Sequence, residues 1–355
     1  MIYTLSSAMH KEDLSLPFEL PTDWSDKRQC VAVLTGGTEA SFIELVEQGK
    51  ISLQKPVFII ASGTSNSLAA SLEILSWVQQ QCGKGLVLTS ADQLSTADHN
   101  IKDKYVVMFS PKMSTDDVPE PLRLGVIGEP SDWLIASKVD PDYILSQTGI
   151  TLVNVPISEV TSLGEVEPGM EGAERIYERL KELVGKYNLQ GLTLRCFDLL
   201  STVKNTGCVA LSKLNDEGIP AACEGDIPLL LTMILAKHKY GHIGFQVNPA
   251  RILPDGKMLF AHCTIPLSMT VSHTYDTHFE SGIGVGIHGE LPLGKYRLMK
   301  LSPDLTQLID EPVTLTANQY EPNLCRTQVW LQGSKKLAQR LLAHPIANHH
   351  LLIKQ

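Results

Sequence analysis

The chain has 355 residues, 43% of them hydrophobic and 6% aromatic, and a formal net charge of −9. That length exceeds one ordinary domain and predicts two or three. The acidic balance and the lack of any long Lys or Arg run exclude nucleic acid and an anionic membrane surface as expected partners.

In chain order, the polar residues 1–28 read as an extended arm or cover. CVAVLTGG (Cys30–Gly37) is a buried strand ending in two glycines, and SFIELVEQG (Ser41–Gly49) has helical spacing. PVFIIASGTSN (Pro56–Asn66) is a second strand, SLAASLEILSWVQQQCG (Ser67–Gly83) a helix, and GLVLTS and YVVMFS (Tyr105–Ser110) two further strands. Alternating helices and continuously apolar strands predict a parallel sheet covered on both faces. The loops TGGTE and SGTSNS fall where parallel sheets bind ligands, although neither is a GxGxxG or Walker loop.

After the Pro-rich SPKMSTDDVPEPLR, a second unit begins with LGVIGEPSDWLIAS (Leu124–Ser137), read as strand, loop and helix with Ser131 and Asp132 as caps. An anion or a sugar hydroxyl can bind at such a helix start. ITLVNVPISEV is a strand, and Gly169–Leu189 is an amphipathic helix with Glu/Arg and Glu/Lys pairs at helical spacing. GLTLRCFDLLS (Gly191–Ser201) is a strand carrying Asp198 near its end. Beyond residue 250, short alternating runs separated by Gly, Pro, Asn and Asp predict an antiparallel, strand-rich part with many histidines. The fold class is therefore α/β: two Rossmann-like or flavodoxin-like units, 1–122 and 123–250, followed by a β-rich C-terminal domain, 251–355.

Seven scattered cysteines, an odd number without CxxC spacing, suggest a reducing compartment. The N-terminal stretch lacks the basic start and apolar core of a signal peptide, and no apolar run is long enough to span a bilayer. A cytoplasmic protein is expected.

The chemistry concentrates in residues 221–266. Glu224 and Asp226 precede an apolar helix with Pro228 in its first turn, and LFAHCTIP carries His262 on a strand. Two carboxylates and a histidine at element ends are the parts of a metal or acid/base site. Asp226 reads equally as an N-cap, Glu224 as a solvated loop acid and His262 as a hydrogen-bonded core residue.

Three stretches together resemble the L-fucose isomerase family and, more distantly, L-arabinose isomerase. They are CEGDIPLLLTMILAKHKYGHIGFQVN, then HFESGIGVGIHGELPLGKYRLMKL followed by CRTQVWL, and the tail motif ANHH. The resemblance covers about the last half of the chain. It implies a metal-dependent aldose–ketose isomerase acting through an enediol, with Mn2+ or another divalent cation. It implies Asp226 and His349 as metal ligands, Asp198 as the closest candidate for a further acidic ligand, and, through L-arabinose isomerase, His262 and His278. Asp198, Glu224 and Asp226 become the catalytic candidates, and Ser131, Asp132, Trp133 and His278 the sugar-binding ones. It also implies a homo-oligomer, because family active sites are completed by neighbouring subunits. Carboxylates with one imidazole suit Mn2+. A non-catalytic carbohydrate-binding or regulatory protein on the same fold is the alternative, and an epimerase or aldolase-like enzyme a third reading.

Overall fold

The computed structural model describes residues 2–7, 15–100, 112–118 and 120–355. The first unit is a parallel sheet of β1 (Ile2–Leu5), β2 (Gln29–Val33), β3 (Val57–Ala61) and β4 (Gly85–Leu88), paired in that order. β3 is buried at every position, as a strand covered on both faces must be. The N-terminal stretch does more than cover the sheet: β1 pairs with β2 from Ile2↔Cys30 to Leu5↔Val33. Helices α1 (Thr22–Ser25), α2 (Glu39–Glu47), α3 (Ser67–Gln80) and α4 (Ala97–Asn100) accompany this sheet. The expected strand Tyr105–Ser110 lies outside the described residues.

A second, separate parallel sheet has the order β6-β5-β7-β8, built from β5 (Arg123–Ile127), β6 (Thr151–Val155), β7 (Gly191–Leu194) and β8 (Ala221–Cys223). It is interleaved with α5 (Pro141–Thr148), α6 (Ser158–Thr161), α7 (Met170–Tyr187), α8 (Asp198–Thr202), α9 (Cys208–Asp216) and α10 (Ile227–Tyr240). α7 buries Ile176, Leu180 and Leu183 on one face, as its spacing predicts. Two local expectations fail. Residues 131–137 form turns rather than a capped helix, because Ser131 N–H donates to the Glu224 carbonyl at 3.0 Å and Trp133 is drawn to the Glu224 side chain. Asp198 opens the short α8 instead of closing a strand, because β7 already ends at Leu194.

The C-terminal part is a closed antiparallel barrel of order β10-β15-β14-β13-β16-β9. Its strands are β9 (Phe245–Ile252), β10 (Lys257–His262), β13 (Gly294–Leu301), β14 (Leu308–Gln319), β15 (Thr327–Gln332) and β16 (His350–Lys354). The ribbon β11 (Ser272–Asp276)–β12 (Gly286–Glu290) and helix α11 (Lys335–Ala343) flank it. The barrel thus begins at Phe245, a few residues before the compositional change near 250. One apolar core joins the first sheet to the barrel: Val31, Ile59 and Leu72 belong to the same buried cluster as Phe245, Phe260, Leu298, Val329 and Leu352. Helix α3 bolts the parts together. Its Glu73 accepts from Ala136 N–H at 2.8 Å, and its Ser76 hydroxyl donates to the Pro345 carbonyl at 3.1 Å.

Candidate metal centre

Both parallel sheets turn loops at their C-terminal strand ends toward the barrel, the position at which such sheets carry ligand sites. After β8 the chain makes a tight turn in which Glu224 (φ 65°) and Gly225 (φ 73°) are both left-handed. A non-glycine residue held there stores roughly 1–3 kcal/mol. Glycine follows because a Cβ at 225 would lie 2.6 Å from Pro130 Cα and 2.8 Å from the Glu129 carbonyl oxygen. The turn is fixed from the barrel side too, where Gln246 on β9 accepts from Cys223 N–H at 2.8 Å.

Three buried side chains converge at this turn. Glu224, His262 and His349 each offer one ligand atom, and these atoms all lie within 4.8 Å of one another. Glu224 comes from the turn after β8, His262 from the end of β10, and His349 from the residue before β16. The Trp133 indole N–H donates to Glu224 Oε2 at 2.5 Å, and Glu224 Oε1 stands 3.4 Å from His349 Nε2. That nitrogen is buried and makes no hydrogen bond. The other face of the ring is fixed, with His349 Nδ1 2.9 Å from Asp226 Oδ2. Lys300 on β13, fully buried, donates to the same carboxylate oxygen at 3.3 Å. Asp226 Oδ1 accepts from Leu229 N–H at 2.7 Å, so Asp226 is also the N-cap of α10. His262 Nδ1 is 2.9 Å from the Thr264 hydroxyl, which leaves Nε2 as its free ring nitrogen.

The electrostatics follow from this geometry. Burial alone would lower the His349 pKa, but Glu224 and Asp226 outweigh it and hold the imidazolium up to about 10. Burial would raise both carboxyls. His349 and His262 hold Glu224 low instead, and Lys300 with His349 takes Asp226 to about 2. Burial and the neighbouring His349 charge lower His262 to about 3, so it is a neutral imidazole. An ionised carboxylate, a neutral imidazole and a second imidazole whose outer nitrogen is held by a carboxylate form a donor set that fits a divalent cation. The unpartnered His349 Nε2 is the atom such a cation would satisfy.

A cavity of about 50 Å3 opens beside this group, lined among others by Glu39, Asn66, Trp133, Glu224, Asn248, Glu280 and Asn348. The remaining sequence candidates are placed around it. Trp133 packs edge-on against Phe197 with ring centres 4.8 Å apart, and Phe197 against His278 at 5.6 Å. His278 is buried, and burial lowers its pKa to about 4. Ser131 is buried and its hydroxyl has no partner. Asp132 and Asp198 are not in the converging group; each pairs with Arg195 at 3.0 Å, and their side chains are 78% and 38% exposed. Asp226 touches His349 from outside the group of three.

Lys300, Glu39, Glu280 and Asn248 carry no sequence motif. Lys300 alone left a trace: it falls on the same face of β13 as Tyr296 and Leu298, a charge at an inward apolar position. Among the described residues all seven cysteines are free, with Cys196 and Cys223 sulfurs 2.9 Å apart, and no helix is long and apolar enough to cross a membrane. No protein-family model matches this chain, and no curated protein matches it significantly.

Proposed function

We propose that this chain is a divalent-metal-dependent aldose–ketose isomerase, similar in kind to the L-fucose and L-arabinose isomerases, that works through an enediol on an open-chain sugar. The observation that carries the reading is the convergence of Glu224, His262 and His349 beside a cavity with polar walls. A cation bound there supplies Lewis acidity, polarising the substrate carbonyl and the adjacent hydroxyl. The chain's own residues do the positioning. Trp133 holds one oxygen of Glu224, so the other stays turned toward His349. Lys300 and Asp226 fix the His349 ring with Nδ1 turned outward, and Thr264 does the same for His262. Burial of all three ligands excludes bulk water, which strengthens each electrostatic contact.

Two imidazoles and one carboxylate admit Fe2+ and Zn2+ as well as Mn2+, and Mn2+ is the first ion to test. In this reading the two parallel sheets are Rossmann-like or flavodoxin-like units that bring their C-terminal loops to one site. The protein is a cytoplasmic homo-oligomer. β11 is an edge strand with exposed Val271 and Leu293 nearby, the kind of surface a second copy covers.

The deciding experiment is calorimetric titration of the purified protein with Mn2+, followed by a screen of aldoses and ketoses on the loaded protein. Stoichiometric binding with interconversion of one aldose–ketose pair is expected. Loss of neither on Glu224→Gln or His349→Ala would sink the assignment. A cation and a sugar bound without interconversion would favour a carbohydrate-binding protein instead.

A further inference from the structure

The cavity beside the Glu–His–His group holds two more carboxyl groups that this metal chemistry does not use. Glu39, the first residue of α2, is 2% exposed, and its Oε2 is buried with no hydrogen-bond partner. Glu280, half-buried in the loop between β11 and β12, is held by the Asn66 amide, which donates to its Oε1 at 2.7 Å. Asn66 itself sits in a left-handed backbone conformation, φ 58°, at the start of α3. Gly36 keeps the wall open at this point, since a Cβ there would meet Asn66 Cβ at 3.0 Å. All four residues line the same cavity as Glu224. A second unpartnered polar atom, Asn248 Oδ1, belongs to the same lining.

A buried polar atom without a partner costs about 1–3 kcal/mol, so an enclosed set of them signals a ligand rather than a packing solution. The ligand must offer several hydrogen-bonding groups on a small frame. The cavity volume of about 50 Å3 corresponds to roughly three or four waters. That space suits the first two or three carbons of an open-chain sugar, each bearing one oxygen. The carboxyls are of the right form as well: burial raises Glu39 well above the usual carboxylate range and takes Glu280 to about 7. A neutral carboxyl, as at Glu39, both donates to and accepts from a hydroxyl group, and Glu280 accepts from one in either form.

We propose that Glu39 and Glu280 are substrate-binding residues that receive the hydroxyl groups of an open-chain polyhydroxylated compound whose carbonyl end lies at Glu224, His262 and His349, with Asn66 positioning Glu280. This rests on the isomerase reading for the direction in which the substrate lies. Recognition of the hydroxyls stands on the cavity itself. The TGG and SGTSN loops of the first unit thereby acquire a role: they carry Gly36 and Asn66, and TGG leads into Glu39.

The test separates binding from folding. Glu39→Met and Glu280→Met keep the volume but cannot hydrogen-bond a hydroxyl. A carboxyl needed only for structure would lower the melting temperature when replaced, whereas a buried unpartnered one can be replaced by an apolar side chain at little cost. The probes are arabinitol and galactitol, titrated by calorimetry into the Mn2+-loaded protein and into the metal-free protein. Glu39→Met is expected to melt about as wild type and Glu280→Met somewhat lower, because the Asn66 amide loses its acceptor. Both should bind Mn2+ within about twofold of wild type and at least one polyol about tenfold more weakly or worse. Asn66→Gly, which retains the left-handed backbone, should reproduce the Glu280→Met loss. Unchanged polyol affinity in the Met variants, no polyol binding by wild type, or loss of Mn2+ and polyol together in the Met variants would each overturn the proposal. Polyol binding that depends on both glutamates but not on Mn2+ would uphold it while removing the metal reading.

Discussion

His349 is a buried imidazolium clasped between two carboxylates, and the proposed metal at Nε2 would take the place of its proton. Its pKa, held at about 10 by Glu224 and Asp226 against the effect of burial, means that the metal-free protein is protonated there at neutral pH. Binding therefore releases about one proton, and affinity should rise ~10-fold per pH unit from pH 7 towards 10. Calorimetry in two buffers of different ionisation enthalpy measures that proton directly; equal heats would contradict it. Asp226 predicts a second outcome. Asp226→Asn keeps the cap on α10 but leaves Lys300 fully buried without its counter-charge, so stability should fall by roughly 3–5 kcal/mol. Metal affinity should fall by about 10–100-fold through the released His349 ring. Adding Lys300→Met should restore the denaturation midpoint and leave the metal affinity low. At this scale part of the group was legible: Glu224 and His262 stand out as an acid and a histidine at element ends, whereas His349 came only from the resemblance of the ANHH tail to a family motif. Asp226 drew attention for the same reason, but Pro228 and the apolar run behind it equally marked it as a cap. Its contacts give it that role together with the outer contact to His349. Glu39 and Glu280 were not legible, because a lone glutamate in a loop or at a helix start reads as solvated until the tertiary structure buries it.

The decisive element is the turn from Cys223 to Asp226, which links the end of a parallel strand to the start of a buried helix. Gly225→Ala places a Cβ against Pro130 and the Glu129 carbonyl in a left-handed conformation. It should cost roughly 1–3 kcal/mol and displace Glu224 enough to weaken Mn2+ binding. An alanine variant with unchanged melting temperature and affinity would show that the turn does not set the site. Helix α10 could be read from Asp226, Pro228 and Gly241, since cap, proline and C-terminal glycine are all local signals. The 131–137 stretch could not be read so. Its apolar residues suggested a helix, but the contacts of Ser131 and Trp133 with Glu224 come from a residue more than ninety positions away. The C-terminal strands were visible by their alternation. Closure into a barrel was not, because alternation specifies which face is inward and not which strand pairs with which.

Across the whole molecule, a further buried carboxyl links the parts. Glu73 on α3 receives Ala136 N–H and the Ser137 hydroxyl of the second unit. Burial, with Asp226 nearby, raises its pKa from the usual 4.5 to about 7. The sign follows: this contribution to stability is complete below about pH 4.5 and is lost as pH rises through about 7. Glu73→Gln cannot titrate, so wild type should lose stability relative to it over that interval. The change is on the order of 3 kcal/mol, at 1.36 kcal/mol per pKa unit. Urea midpoints of the two proteins at pH 5 and pH 8 measure the difference; parallel behaviour at both pH values would refute it. Two separate parallel sheets and a β-rich end were legible at this scale, since period and run length are local. The common core was not.

Because α3 is hydrogen-bonded to the second unit and to the stretch before β16, the first sheet shares one apolar cluster with the barrel, and one face of the second sheet with α10 shares another, no part has all of its interior to itself. Cooperativity is the consequence. The chain should melt as one calorimetric transition, with van't Hoff and calorimetric enthalpies in agreement, where three independent domains would melt in steps. A fragment cut at residue 122 or 250 should expose that cluster and aggregate.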